Sequence, residues 1–258
     1  ELSFAIRALG CKSGVMLTAS HNPKEYNGYK AYGADGGQFV APHDEAVMAE
    51  VSKITNLSDI KFDRNDDKIQ KIGKDLDEQY LNELAKLSIS KEAINRQHDL
   101  KIVYSPIHGT GGVLVPPALS KYGFTNVITV DTQMVVDGNF PTVIYPNPEE
   151  AEALSLALDL AKEVDADIVM ATDPDADRVG IAIKNDKNEF ILVNGNQALC
   201  LLIHYLLTAW EKAGKLDGNQ YVVKTIVTSY MIDKMAAAKN VECLNVLTGF
   251  KYIGEIVT

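Results

Sequence analysis

The sequence predicts an α/β protein made of consecutive domains with mostly parallel sheets. From about residue 100 onward, short apolar strand segments alternate with amphipathic helix segments, as expected for strands joined by helical crossovers. The 258 residues are 46% hydrophobic and 23% charged, so the chain can form more than one core. An amphipathic segment at 75–87 separates this regular region from a shorter unit before it.

The amino-terminal unit combines short helices with strands. Residues 3–10 favour a helix, and residues 15–18 favour a strand. Residues 28–39 alternate between apolar and polar around a Gly-Gly pair, which predicts a hairpin. A second helix is expected from residue 42 to about residue 54, followed by charged and irregular residues up to 74.

The regular region continues as strands and helices to the end of the chain. The predicted strands are apolar and rich in β-branched residues: LKIVYS, NVITV, ADIVMA, RVGIAI, QYVVKTIVTS and VECLNVL. The predicted helices have apolar residues at helical spacing: part of VLVPPALSKYG, then EEAEALSLALDLAKEV, residues 196–213 and YMIDKMAAAKN. This order predicts a mostly parallel sheet covered on both faces.

Charge, hydropathy and cysteine content argue against nucleic acid, membranes and zinc as binding partners. A net charge of -10 and a pI near 5.0 disfavour binding to nucleic acid or to an anionic membrane surface. The longest apolar segment, about residues 198–210, contains His204 and is too short to span a bilayer. Cys11, Cys200 and Cys243 form no CxxC pair, which disfavours zinc and fits a reducing compartment. The sequence therefore predicts a cytoplasmic protein, and it carries no signature of an oligomeric state.

An acidic loop follows the strand ADIVMA. Asp173, Asp175 and Asp177 stand at alternate positions, so their side chains point the same way and repel one another. A divalent cation relieves this repulsion, and an all-oxygen ligand set suits Mg²⁺. An EF-hand is excluded because Arg178 and Lys184 occupy its glycine and glutamate positions. The loop predicts a magnesium site; an acidic surface turn and an aspartyl phosphotransferase with a D-x-D-x-V strand end remain alternatives.

A second polar loop, TASHNP, follows the first strand and places Ser20 beside His21. Neighbours on extended chain point in opposite directions, so this pair is not a ready charge relay. The Gly-x-Ser-x-Gly elbow of esterases is absent, and by itself Ser20 favours a cap or turn residue over a nucleophile. The glycine loop HGTGG at 108–112 lacks the Gly-Lys-Ser/Thr ending of a nucleotide P-loop, and it predicts a tight strand-to-helix turn or a loop bordering the cleft.

Taken together, TASHNPKEYNGYK and TDPDADR resemble the serine and metal loops of the α-D-phosphohexomutase family, which includes phosphoglucomutases and phosphomannomutases. TGFKYIG resembles the family's sugar-binding loop, and PIHGTGG and YPNPE resemble second-domain segments of its phosphoglucomutase and phosphopentomutase-like branch. The resemblance covers essentially the whole chain. It implies consecutive α/β domains with mixed or parallel sheets: a partial first domain at 1–74 with the phosphoserine loop, a second at 75–192 with the metal loop, and a partial third at 193–258 with the sugar-binding loop.

The resemblance implies an isomerase that interconverts hexose 1-phosphate and 6-phosphate through a phosphoserine and a bisphosphate. Ser20 would carry the phosphoryl group, and one of its oxygens would join the three aspartates in binding Mg²⁺. Lys30 is expected to exchange a proton with the sugar hydroxyl, which works best if nearby cations lower its pKa. The other implied positions lie near the phosphoryl group or the substrate: His21, Arg178, Thr248, Gly249 and Lys251.

Both ends of the sequence indicate a piece of a longer protein, because it begins with Glu1 rather than Met and stops at Glu-Ile-Val-Thr. No segment resembles the family's GEESGG loop, which reads sugar hydroxyls, or its RPSGTEP loop, which holds the distal phosphate. We therefore expect incomplete first and third domains, weak Mg²⁺ binding and little turnover by this chain alone. A non-catalytic, metal-binding phosphoprotein module is the alternative function.

Overall fold

The computed structural model describes residues 1–257, whose strands form three separate sheets. The α-helices of this part of the chain are α1 (Leu2–Ala8), α2 (His43–Val51), α3 (Lys74–Lys86), α4 (Lys91–Arg96), α5 (Val115–Tyr122), α6 (Asp131–Met134), α7 (Ser155–Glu163), α8 (Gly195–Lys212), α9 (Met231–Ala237) and α10 (Phe250–Val257). The strands are β1 (Gly14–Leu17), β2 (Tyr29–Tyr32), β3 (Ile102–Ser105), β4 (Val127–Thr129), β5 (Ile168–Thr172), β6 (Val179–Lys184), β7 (Phe190–Val193), β8 (Tyr221–Thr225) and β9 (Glu242–Val246).

The amino-terminal sheet consists of β1 and β2, which pair antiparallel with Met16 opposite Lys30. Helix α1 packs against β1 through Ile6, which is 2% exposed. A Cβ at Gly14 would overlap the Ile6 side chain, so the glycine allows the helix to approach closely. This packing fixes the direction in which β1 leads into the serine loop.

The predicted hairpin at 28–39 is only partly correct. Strand β2 pairs mainly with β1, and a single bridge from Tyr32 to Gln38 closes the Gly-Gly turn. The segment after the turn reaches α2 at His43, which leaves too few residues for a full strand. The alternation of apolar and polar residues therefore marks one strand and a turn, rather than two strands.

The middle sheet has the strand order β4-β3-β5-β6-β7. Strand β3 pairs parallel with β4 and β5, whereas β6 pairs antiparallel with both β5 and β7. The prediction of a mostly parallel sheet is therefore wrong for its second half. Only residues 173–178 connect β5 to β6, which is too short for the crossover that a parallel pair requires.

The core of this sheet lies beneath α7. Ala157 and Ala161 of the helix are fully buried against Val103 of β3 and Val169 of β5. All four residues of β3 are buried, as expected for a strand covered on both faces. On the outer side, α3 packs against α5, where the Tyr122 hydroxyl donates to the Leu84 carbonyl at 2.9 Å.

Most predicted helices are confirmed, with shifted ends. Helix α7 begins at Ser155, later than its apolar pattern suggests, because the Glu152 carboxylate accepts the Ile144 backbone N–H at 3.2 Å and ties the preceding turn to a loop. The short helices α4 and α6 and the strand β7 were not predicted. No helix within residues 1–257 has the length and apolar character needed to cross a membrane.

The carboxy-terminal sheet consists of β8 and β9, which pair in parallel across the helix α9. Leu207 of α8, Ala236 of α9 and Val241 form its core. Lys224 is only 6% exposed. Its Nζ lies 3.1 Å from Asp233 Oδ2, and this carboxylate neutralises the buried ammonium group. All three cysteines are free.

Candidate active site

The acidic loop leaves the carboxyl end of β5, between β3 and β6. Asp173 is fully buried there, and its Oδ1 accepts the backbone N–H groups of Asp177 at 3.1 Å and Arg178 at 2.9 Å. These bonds fold the loop back on itself, with Ala176 in the left-handed region at φ 56°. As a result, Asp173, Asp175 and Asp177 each offer a carboxylate oxygen within 4.8 Å of the others. The three carboxylates converge, as predicted, but through a turn and not through the extended chain that the prediction assumed.

The serine loop reaches this cluster from the end of β1. The Ser20 hydroxyl donates to Asp173 Oδ2 at 2.8 Å, across 153 positions of sequence. Thr18 braces the contact, because its Oγ1 accepts the Ser20 backbone N–H at 2.8 Å and donates to Asp175 Oδ2 at 3.2 Å. Ser20 therefore lies within direct hydrogen-bonding reach of the acidic loop.

The conformation of Ser20 corrects one expectation. Its φ of 53° is in the left-handed region, so the chain is not extended there. His21 is therefore not directed away from it, and His21 Nδ1 lies 3.2 Å from Ser20 Oγ. Burial, and next the positive charge of Arg178, lower the pKa of His21 below its ordinary value. The neutral imidazole is favoured, and the tautomer protonated on Nδ1 can donate to Ser20 Oγ.

Lys30 extends from β2 into the same cluster. Its Nζ lies 2.9 Å from Asp175 Oδ2 and 3.3 Å from Asp177 Oδ2. Burial lowers the pKa of Lys30, but the bonds to Asp175 and Asp177 outweigh burial and raise it above its usual value. The expectation that cations lower this pKa is therefore wrong, because carboxylates surround Lys30. It enters the site as an ammonium ion.

The donor set fits a divalent cation held by oxygen ligands. Burial raises the pKa of Asp173 to about 7, although the Ser20 hydroxyl and the Arg178 backbone oppose the effect. Burial also acts to raise the pKa of Asp175, but the hydrogen bond and positive charge of Lys30, together with the bonds to Asp173 and Thr18, outweigh burial and lower that pKa. Asp175 Oδ1 is buried and has no hydrogen-bond partner, which leaves one acceptor oxygen of the acidic cluster without a donor. Such an orphaned oxygen is costly unless a cation or a donor satisfies it.

Replacing Lys30 by methionine should separate its two electrostatic effects. The three carboxylates would lose their neutralising cation, so we expect Lys30→Met to lower the unfolding temperature in a chelator. The same change removes a positive charge beside the cation site, so Mg²⁺ should bind about 3- to 10-fold more tightly. Calorimetric titration with Mg²⁺ and thermal unfolding measure the two effects. The exposed Lys12→Met is the matched control, and unchanged or weaker Mg²⁺ binding by Lys30→Met would contradict the interpretation.

The remaining predicted site residues lie elsewhere or at the rim. Arg178 is exposed and close enough to His21 to affect its pKa. Lys251 was predicted to lie in a loop, but it lies in the first turn of α10. Its Nζ pairs with Asp44 Oδ2 of α2 at 3.0 Å. Thr248 is exposed before that helix, and Gly249 adopts a φ of 129°. The structure thus joins the serine and aspartate loops, and it places residues 248–251 against the amino-terminal unit.

Sequence reasoning missed Thr18 and the cavity beside it. Thr18 and Ser20 stand at alternate positions, and this spacing of two hydroxyls after a strand could have identified the brace. An open cavity of about 410 Å³ adjoins Ser20, between the serine loop and the loops that follow β3 and α6. Its lining residues include Leu17, Tyr26, Val136 and Phe140.

The chain resembles known proteins along its whole length. A phosphoglucomutase of Staphylococcus saprophyticus is 38% identical over 262 residues, covering 100% of this chain and 46% of that protein. A probable phosphoribomutase of Schizosaccharomyces pombe is 37% identical over 259 residues, covering 98% and 43%. A crystal structure of a candidate phosphomannomutase from Thermus thermophilus superposes with a TM-score of 0.75 at 25% identity, covering 99% and 53%. The chain spans about half the length of the curated relatives it matches.

Family models give the same result domain by domain. The model for phosphoglucomutase/phosphomannomutase, alpha/beta/alpha domain I, matches residues 1–58, that for domain II matches 78–187, and that for domain III matches 194–258. The predicted class of consecutive α/β domains is confirmed, while the boundaries at 74/75 and 192/193 remain predictions. Since three models of one family follow one another in order along these residues, the chain belongs to the phosphoglucomutase/phosphomannomutase family.

Proposed function

We propose that this chain carries the phosphoryl-transfer centre of a hexose-phosphate mutase, with Ser20 as the residue that is phosphorylated. The observation that supports this most is the 2.8 Å hydrogen bond from the Ser20 hydroxyl to Asp173, at the edge of three converging carboxylates. A serine in that position can share a metal ion with the aspartates once it carries phosphate. Membership in the phosphoglucomutase/phosphomannomutase family adds to this support.

Asp173, Asp175 and Asp177 would hold the cation, together with an oxygen of the phosphoryl group on Ser20. The donor set is entirely oxygen, which favours Mg²⁺ over zinc. Bound there, Mg²⁺ would withdraw charge from the phosphoryl group and from the serine oxygen that leaves. We infer weak binding for this chain, because Lys30 already neutralises part of the acidic cluster.

The side chains around Ser20 would neutralise charge and transfer a proton in the proposed reaction. A phosphoserine brings about 1.5 to 2 negative charges at neutral pH, which the ammonium of Lys30 and the guanidinium of Arg178 would offset. When the bond from phosphorus to Ser20 Oγ breaks, a bond from phosphorus to a sugar oxygen forms, and the proton of that sugar hydroxyl passes to Ser20 Oγ. A neutral His21 would relay this proton, because its Nε2 can accept one while its Nδ1, at 3.2 Å from Ser20 Oγ, gives one up. The proposed substrates are a hexose 1-phosphate and a hexose 6-phosphate, linked by a bisphosphate.

We expect Ser20→Ala to remove phosphoryl transfer to the chain completely. The wild-type chain, incubated with Mg²⁺ and a hexose 1,6-bisphosphate, should gain one phosphoryl group by intact-mass spectrometry, and peptide mapping should place it on Ser20. This half-reaction does not require full turnover. Ser120→Ala, an exposed serine of α5, is the matched control and should be labelled as the wild type is.

The same experiment separates the alternatives. Phosphate on Asp175 or Asp177, lost readily in base, would support an aspartyl phosphotransferase instead of a serine enzyme. Label on Ser20 that is never passed on to a hexose monophosphate would support a non-catalytic phosphoprotein module. A wild-type chain that gains no phosphoryl group would contradict the proposed function.

A further inference from the structure

The glycine-rich loop after β3 has no place in the proposed chemistry, yet it lies against the acidic loop. Strands β3 and β5 are parallel neighbours, so the loops that follow them leave the same edge of the sheet. Residues 108–112 form the first of these loops, and residues 173–178 form the second. Any side chain added to the first loop at their contact would push on the second.

The contacts between the two loops are close and repeated. The backbone N–H of Thr110 donates to the Pro174 carbonyl at 2.9 Å, and Thr110 Oγ1 donates to the same oxygen at 3.0 Å. A Cβ on Gly109 would overlap the Pro174 backbone. A Cβ on Gly111 would overlap Thr172 Oγ1, and it would lie 3.4 Å from the Ala176 side chain. Gly109 is therefore required by the approach of the acidic loop, and Gly111 by its packing against the side chains of Tyr104 on β3 and Thr172 on β5.

The contacted positions follow a pattern. The glycine loop touches residues 172, 174 and 176, and the aspartates stand at 173, 175 and 177. Residues 173–176 form a turn, in which the Ala176 backbone N–H donates to the Asp173 carbonyl at 2.9 Å and Ala176 has a φ of 56°. The residues that meet the glycine loop thus alternate along the chain with the residues that carry the carboxylates.

We propose that Gly109, Thr110 and Gly111 are positioning residues that set the spacing of Asp173, Asp175 and Asp177 for a divalent cation. The inference rests on the proposed function, because it takes the three carboxylates to be the metal ligands. The glycine loop acts as a rigid support: it fixes the backbone between successive aspartates, and the carboxylates converge as a consequence. Residues that orient metal ligands in this way typically change metal affinity by about 10- to 100-fold when they are altered.

Gly109→Ala tests the inference, with Gly138→Ala as its matched control. A Cβ at Gly138 meets no atom within 4 Å, although this glycine lines the cavity beside Ser20. We expect Gly109→Ala to weaken Mg²⁺ binding by about tenfold or more in calorimetric titration, and Gly138→Ala to bind as the wild type does. The unfolding temperature in a chelator, measured in parallel, shows how far each variant is destabilised without metal.

Thr110 provides a second, milder test. Thr110→Val removes only the hydroxyl bond to Pro174, so we expect an unchanged unfolding temperature in a chelator and Mg²⁺ binding weakened by more than about threefold. Thr110→Ser keeps the hydroxyl and should restore the affinity. A purely structural role would lower the unfolding temperature of Thr110→Val and leave its affinity unchanged.

The outcomes are separable. If Gly109→Ala folds and binds Mg²⁺ within about threefold of the wild type, the inference is overturned while the proposed function stands. If Gly109→Ala does not fold, Thr110→Val decides by the same threefold criterion. If the wild-type chain itself binds no Mg²⁺, the proposed function fails, and this inference fails with it.

Discussion

Replacing Asp173 by asparagine is expected to abolish Mg²⁺ binding and, at the same time, to stabilise the metal-free chain. Asp173 is fully buried and is the one aspartate bonded to Ser20, so its loss removes the central ligand of the proposed site. Mg²⁺ at about 100 times its dissociation constant should stabilise the wild type by about 2.7 kcal/mol, and the variant by nothing measurable. Asparagine retains an acceptor for the backbone N–H groups of Asp177 and Arg178, so the loop should keep its shape.

The gain in metal-free stability follows from charge. Three carboxylates within 4.8 Å repel one another, and removing the buried one relieves both repulsion and desolvation. Thermal unfolding at neutral pH, with chelator and with a Mg²⁺ series, measures both effects. Asp186→Asn, an exposed residue in the turn between β6 and β7, is the matched control and should retain the Mg²⁺ response. An Asp173→Asn variant that still gains stability from Mg²⁺ would exclude the aspartate cluster as the metal site.

Leu154→Ala should destabilise the middle sheet by about 2 to 5 kcal/mol. Leu154 is 0% exposed and packs with Ile107, Ala153 and Ala171 under the loops that carry the site. Truncation leaves a cavity that this close-packed cluster cannot fill, because two of its four members are already alanine. Chemical denaturation of the metal-free chain measures the change in the free energy of unfolding.

Leu156→Ala provides the comparison two residues along the chain. Leu156 is 37% exposed, so its truncation should cost well under half as much as that of Leu154. Equal losses for the two variants would mean that the buried cluster does not determine the stability of the middle sheet. Mg²⁺ affinity should be retained wherever Leu154→Ala remains folded, because Leu154 belongs to an apolar cluster that contains none of the three aspartates.

The sequence predicted the convergence of the three carboxylates, because a buried strand ends just before Asp173 and the other two aspartates follow in the same short loop. The reason behind the prediction was wrong, since the loop is a turn held by Asp173 and not extended chain. The contact between Ser20 and Asp173 came from the resemblance alone, since nothing in the local pattern links residues 153 positions apart. The functional roles of Ser20, Lys30, His21 and Arg178 remain predictions.

Three of the misses, the conformation of Ser20, the pKa of Lys30 and the role of Gly109, depend on packing between distant segments. The left-handed Ser20 reverses the expected orientation of its neighbour, and a non-glycine residue adopts that conformation only where its surroundings hold it. The raised pKa of Lys30 depends on carboxylates contributed by another loop, more than 140 positions away. The support of the acidic loop by Gly109 could not be read from a glycine motif that also fits an ordinary turn.

The pairing of Asp44 with Lys251 joins two helices from opposite ends of the described chain, 207 positions apart. This ion pair therefore connects the amino-terminal unit with the last helix of the described chain. Moving α2 away from α10 has to separate this pair, whose side chains are 35% and 28% exposed. Dissolved ions screen the attraction between such exposed charges, so a higher ionic strength should weaken the contact between α2 and α10.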